Sequence, residues 1–311
     1  MATSPSHVVA IDIGTNSILL LIATPAPAME QGMPSALIPV IDRAQTVRLG
    51  ENLIATGCLA DAAMARTLAG LTDYVALART FSPTKMICFG TAALRRAQNS
   101  DYFCGQIKHR LNLDVRILSP AEEAHYTFKG ALSSLSSIHH QTPYLVIDIG
   151  GGSTEIVYGR GDKIEYQTSV PLGAVVVQER YQLSQQISTD QFEYLRSQIG
   201  GLFQQLPTIK PETTVLLTGG TATTLAALSQ KLQRYDIDAI DGYPLTRPAI
   251  TTLYQQLNQR SLQQRENLPG MEPGRADIIL PALLILLTLL EHFDSDRIQV
   301  SVRGARYGLL L

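Results

Sequence analysis

Val8-Val9-Ala10-Ile11-Asp12-Ile13-Gly14-Thr15-Asn16-Ser17 is an apolar, β-branched run that ends on a carboxylate and turns through a glycine and polar residues. It resumes as Ile18 to Ile22. That pattern predicts strand, polar turn, strand. It recurs as Tyr144-Leu145-Val146-Ile147-Asp148-Ile149-Gly150-Gly151-Gly152-Ser153-Thr154-Glu155, followed by Ile156-Val157-Tyr158. The shared Ile-Asp-Ile-Gly begins at Ile11 and at Ile147, and 147 − 11 = 136 residues is the size of a domain. Two related domains are expected, residues 1–128 and 129–311, not a solenoid of short repeats.

The intervening sequence alternates in the same way. Leu59 to Phe81 has helical spacing, Met86 to Gly90 reads as a strand and Thr91 to Gln98 as its following helix. After the second copy come a Gln-rich helical region, Thr189 to Gln205, then the strand Val215 to Thr218, which turns at Gly219-Gly220 into an Ala-rich helix, Thr221 to Ser229. Such alternation defines an α/β class. Ser133 to Gln141, Ser-rich and polar, is expected as a surface loop.

Composition narrows the function. The chain has 311 residues, 45% hydrophobic and 17% charged, with 25 basic against 27 acidic side chains and a net charge of −2. Disorder is excluded, and DNA or RNA is not an expected partner, although local basic residues can still bind an anion. Cys58, Cys88 and Cys104 have no metal-site or disulfide-framework spacing, and a reducing cytoplasm is the expected location. Met1 to His7 carries no Lys or Arg and does not read as a signal peptide. Ile278 to Leu290 is apolar but short of the ~20 residues that cross a bilayer, and is read as a buried helix with no membrane role.

Both Asp-Ile-Gly loops place a carboxylate at a strand's end and then a turn whose glycines let backbone amides approach a ligand. A phosphate with its metal suits that geometry. Gly14, Thr15, Asn16 and Ser17 form one candidate phosphate loop, and Gly150, Gly151, Gly152, Ser153 and Thr154 the other. Asp12, Asp148 and Glu155 supply the hard oxygen ligands that Mg²⁺ prefers. A single such loop reads equally well as a tight hairpin turn; two copies favour function. No P-loop or Rossmann glycine motif is present.

Ser119-Pro120-Ala121-Glu122 reads as a helix start with Ser as N-cap, Pro at the first position and Glu at the third. Glu122 thus has a capping role. Glu123, about 100° further round the helix, has none, beyond favouring the helix dipole.

The two loops, with Leu217-Thr218-Gly219-Gly220-Thr221-Ala222 downstream, resemble the actin-like ATPase superfamily. Gly90-Thr91-Ala92-Ala93-Leu94-Arg95, Ile117-Leu118-Ser119-Pro120-Ala121-Glu122-Glu123-Ala124, Arg275-Ala276-Asp277 and Ser301-Val302-Arg303-Gly304-Ala305-Arg306-Tyr307-Gly308 make the chain similar to the exopolyphosphatase and guanosine pentaphosphatase family. The resemblance runs over almost the whole chain. It implies two actin-like (ribonuclease H-like) domains with an active site in the cleft between them. It further implies Glu123 as catalytic base and Arg95 as a phosphate-contacting arginine. The chain departs from the family pattern, which has Gly where this chain has Pro120, Glu where it has Tyr307, and an acid near Val302. Arg48, Lys129, Arg275, Arg303 and Arg306 remain open between surface charge and phosphate contact.

The expected reaction is hydrolysis of the terminal phosphoanhydride of inorganic polyphosphate, releasing orthophosphate, with Mg²⁺ as cofactor. Guanosine pentaphosphate is the alternative substrate, and a homodimer is left open as the assembly. The rivals are an actin-like ATP-dependent kinase and a non-hydrolytic regulator that binds polyphosphate or nucleotide.

Overall fold

The computed structural model describes residues 6–26, 37–135, 141–183 and 186–311. Residues 136–140 of the expected Ser-rich loop, with His139 and His140, lie outside them. The chain forms two compact units, Met1–Ser133 with Ala305–Leu311, and Ser134–Gly304.

In the first unit, β1 (Val8–Ile13), β2 (Ser17–Pro25), β3 (Leu37–Thr46), β4 (Lys85–Gly90) and β5 (Val115–Ile117) form a sheet of order β3-β2-β1-β4-β5. β1 to β3 are antiparallel neighbours, and β4 and β5 run parallel to β1. In the second unit the strands are β6 (Pro143–Ile149), β7 (Thr154–Arg160), β8 (Lys163–Val170), β9 (Thr214–Thr218), β10 (Pro244–Thr246) and β11 (Arg297–Val300). Their order, β8-β7-β6-β9-β11-β10, repeats the first sheet with one added antiparallel edge strand. The expected α/β duplication is present strand for strand. β1 and β6 are the central strands, and their apolar runs are buried on both faces.

The helices follow apolar periodicity. Asp61–Thr80 buries Leu68, Leu71 and Val75 against the first sheet. Ile279–His292 is apolar all round, and Ile279 through Leu290 are buried in the core of the second unit. Among the described residues no helix is long and apolar enough to cross a membrane.

The observed division differs from the expected one at both ends. A boundary between 128 and 129 would cut the helix Pro120–Leu132, and the chain's last seven residues belong to the first unit. The helix Ala305–Leu310 packs so closely on Pro120–Leu132 that a Cβ at Gly308 would lie 1.9 Å from the Tyr126 carbonyl oxygen. Arg306 forms a 2.6 Å ion pair with Asp42 on β3, and the Tyr307 hydroxyl donates to the same carboxylate at 2.9 Å. Tyr307, a departure from the family pattern, is therefore a fully buried clamp residue.

Candidate active site

Both glycine loops close with the same hydrogen bond. The Gly14 amide donates to the Ser17 carbonyl at 3.0 Å, and the Gly150 amide to the Ser153 carbonyl at 3.0 Å. The flanking strands pair in matching register, Ile13 with Ile18 and Ile149 with Thr154. Thr15, Asn16, Ser17 and Ser153 are buried polar residues at these turns. Thr154, expected as a phosphate donor, faces inward instead: it is fully buried and its hydroxyl donates to the Leu172 carbonyl at 2.6 Å.

Carbonyls are the engaged side of each loop. In the first, Asn16 accepts from the amides of Val47 and Arg48 (2.9 and 2.8 Å) and Thr15 from Gly50 (2.9 Å). In the second, Gly150 accepts from Ala174 (2.9 Å) and Gly151 from Val175 and Val176 (3.0 and 3.2 Å). The amides of Thr15, Asn16, Gly151 and Gly152 donate to no backbone carbonyl among the described residues. Loops so held can offer N–H groups to an anion. Val47-Arg48-Leu49-Gly50, which supports the first loop, and Val170-Pro171-Leu172-Gly173, which leads into the helix amides that support the second, are themselves a repeat. Sequence reading missed them, and their shared Val-x-Leu-Gly pattern was the available signal.

Asp148 and Glu155 are directly opposite across β6 and β7, so both side chains share one face of the sheet. Glu155 is only 2% exposed, and one of its carboxylate oxygens accepts from the Ser169 hydroxyl at 2.6 Å. Asp148 lies beside the turn after β9, where Gly219 has φ +80° and a Cβ would meet the carboxylate at 2.2 Å. A bare backbone is required there. Among the described residues no three His, Cys, Asp or Glu cluster as a metal site. Mg²⁺ commonly takes only one or two carboxylates together with substrate phosphates and water, which the Asp148–Glu155 pair fits. Asp12 stands at the matching position on β1 of the first unit, where its charge acts on half-buried Arg306.

Glu123 and Arg95 are brought together. The carboxyl ends of β1, β4 and β5 are adjacent, with Ile13 beside Gly90 and Gly90 beside Ile117. The first loop leaves β1 there, Arg95 lies on the helix Ala92–Arg96 after β4, and Glu123 on Pro120–Leu132 after β5. One guanidinium nitrogen of Arg95 donates to the Glu123 carboxylate at 2.5 Å and to the Leu118 carbonyl at 2.9 Å. Glu123 is 8% exposed. Glu122 completes the expected capping box with Ser119 and pairs with Arg116. Its carboxyl is held down at about 2, first by the Ser119 backbone amide, then by the Ser119 hydroxyl and Arg116.

Of the cations left open, Arg306 is a half-buried clamp on Asp42, and Arg275 pairs with Glu272 at 2.7 Å above the Gly220 backbone. The Val302 amide donates to the Asp241 carboxylate at 3.0 Å.

Two α/β units of one strand order, each with a glycine loop at the end of its central strand, and a buried carboxylate held by an arginine define a phosphoryl-handling α/β protein. The chain belongs to the Ppx/GppA phosphatase family, whose model matches residues 29–311. It is 33% identical over 324 residues to Exopolyphosphatase 2 of Mycobacterium tuberculosis, covering 96% of this chain and 99% of that one. It is 26% identical to a guanosine-5'-triphosphate,3'-diphosphate pyrophosphatase of Vibrio atlanticus, covering 98% of this chain and 59% of that protein. The solved Aquifex aeolicus PPX-GPPA enzyme superposes with a TM-score of 0.80 at 30% identity, over 98% of each chain.

Proposed function

We propose that the protein hydrolyses the terminal phosphoanhydride of inorganic polyphosphate and releases orthophosphate. The observation that carries this reading is the pair of identically closed loops whose carbonyls are tied back and whose amides are left for an anion. Kinship with an exopolyphosphatase over nearly its whole length supports the substrate.

Amides of the two loops hold phosphoryl oxygens, and Ser17 and Ser153 add hydroxyl donors. Arg95 neutralises charge on the transferred group. Glu123 accepts a proton from the attacking water, which adds to phosphorus as the bond to the bridging oxygen breaks, and the shortened chain leaves with that oxygen. No covalent nucleophile is needed. Asp148 and Glu155 would hold Mg²⁺, which when bound withdraws charge from phosphoryl oxygens. Three free thiols fit a reducing cytoplasm as the place of action.

Kinship with the Vibrio pyrophosphatase supports a second reading, removal of the 5′-terminal phosphate from guanosine pentaphosphate. Phosphate release from long-chain polyphosphate and from the nucleotide, each with and without Mg²⁺, tests both. Metal-dependent release from polyphosphate at the higher kcat/KM is the expected result. A higher value for the nucleotide selects the second reading. ATP consumption only in the presence of a sugar would indicate a kinase, and tight binding without release a regulator.

A further inference from the structure

The two Val-x-Leu-Gly segments stand at the ends of β3 and β8, the third strand of each unit: Val47, Arg48 and Gly50 of the first donate amides to loop carbonyls, and the second leads directly into the helix amides of Ala174, Val175 and Val176 that do the same. We propose that they are positioning braces for the substrate: each fixes the carbonyl side of its glycine loop to the scaffold and thereby sets where the loop amides meet phosphate. This rests on the phosphate reading of the loops and adds the residues that hold them in place.

The second brace is the tighter. A Cβ at Gly173 would lie 2.4 Å from the Gly151 carbonyl carbon and oxygen and 2.6 Å from the Gly150 oxygen, so backbone packs on backbone. Gly173 is also the N-cap of the helix Ala174–Tyr181, and it carries no side chain to cap the first amides. Loop carbonyls do so instead, which locks the loop to a helix packed in the core. Thr154, through its bond to Leu172, ties the same brace to β7. The first brace achieves the same end differently. Arg48 adopts φ 52°, a left-handed conformation uncommon for a side chain of this kind, and the amides of Val47 and Arg48 converge on one carbonyl of Asn16.

Ala174→Pro tests the brace in the full chain. Proline is tolerated at the first position of a helix, and Gly173 before it is extended (φ −123°, ψ 176°), as proline requires. The substitution deletes the amide that holds Gly150 and leaves the helix. Expected is a folded protein whose KM for polyphosphate rises about tenfold while kcat falls less than about threefold, because the altered loop contacts are charge-assisted hydrogen bonds. Gly173→Ala should raise KM further. Gly105→Ala, where a Cβ meets nothing within 4 Å, should leave both constants unchanged. If Ala174→Pro does not fold, Gly50→Ala in the first unit is read in the same way, its Cβ falling 2.3 Å from a Thr15 methyl carbon. Folded variants with lowered Tm but parental KM and kcat overturn the brace. A parent that releases no phosphate from any phosphoanhydride overturns the functional reading instead.

Discussion

The row of side chains crossing each sheet at its loop carboxylate separates the two units. In the second unit the row reads Thr218, Asp148, Glu155, Ser169 across β9, β6, β7 and β8. In the first it reads Phe89, Asp12, Leu19, Ala44 across β4, β1, β2 and β3. Backbone topology and loop closure are shared, yet only one row is polar. The helix after the last shared strand differs as well. β5 leads into Pro120–Leu132 with Glu123, whereas β11 leads through 301–304 into a helix that belongs to the first unit. One duplicated backbone thus carries two polar arrangements: a facing carboxylate pair in the second unit, a glutamate paired with an arginine in the first.

The sharpest way to break that division is Glu123→Gln. It keeps size and helix and removes the base, so phosphate release should drop by roughly 10² to 10⁴-fold while substrate still binds. Single-turnover release and equilibrium binding on one preparation check both halves. Parental turnover would remove the base from the first unit.

Next in size are Asp148→Asn and Glu155→Gln. Loss of one partner beyond the ligands of a metal costs about 10 to 100-fold in affinity, so losing a ligand should cost at least that in the Mg²⁺ needed for half-maximal rate. Extra Mg²⁺ should restore part of the activity. The same titration on Leu19→Gln, the matching position of the first unit, should show no change in metal requirement. Ser169→Ala, which removes the donor to Glu155, should shift the Mg²⁺ midpoint by about tenfold with little effect on rate at saturation. An unshifted midpoint would leave the Ser169 bond as sheet packing alone.

How much of this was legible in sequence follows from where each interaction is local. The loops, the central strands and the capping box are contiguous in the chain, and their residue types announce them. β3 and β8 were not read as strands, since both lie at sheet edges with mixed polarity, as in Lys163-Ile164-Glu165-Tyr166-Gln167. The inward turn of Thr154 depends on Leu172, and the return of the C-terminal helix to the first unit on Asp42, 264 positions from Arg306. Partners so remote leave no periodic trace. The Arg95–Glu123 pair lies between these cases: each residue stands on a legible helix start, but only the parallel pairing of β4 with β5 shows that the two meet.

The smallest expected effect separates Glu122 from its neighbour. Glu122 accepts from the Ser119 amide at 2.8 Å and is ion-paired with Arg116, so its carboxyl titrates at about 2 in the fold against 4.5 for the free side chain. A folded-state pKa below the unfolded one means the unfolded chain binds the proton more readily. The stabilisation is therefore complete above about pH 4.5 and lost as pH falls toward 2. Solvent screens a side chain that is 38% exposed, so Glu122→Ala should cost at most about 1 kcal/mol at neutral pH and spare turnover. Denaturant unfolding of parent and variant at pH 7 and at stepwise lower pH should show the two curves converging toward pH 2. A folded Glu122→Ala that releases no phosphate, beside an active Glu123→Gln, would exchange the roles of the two glutamates and place the base on the exposed, Arg116-facing side of the helix.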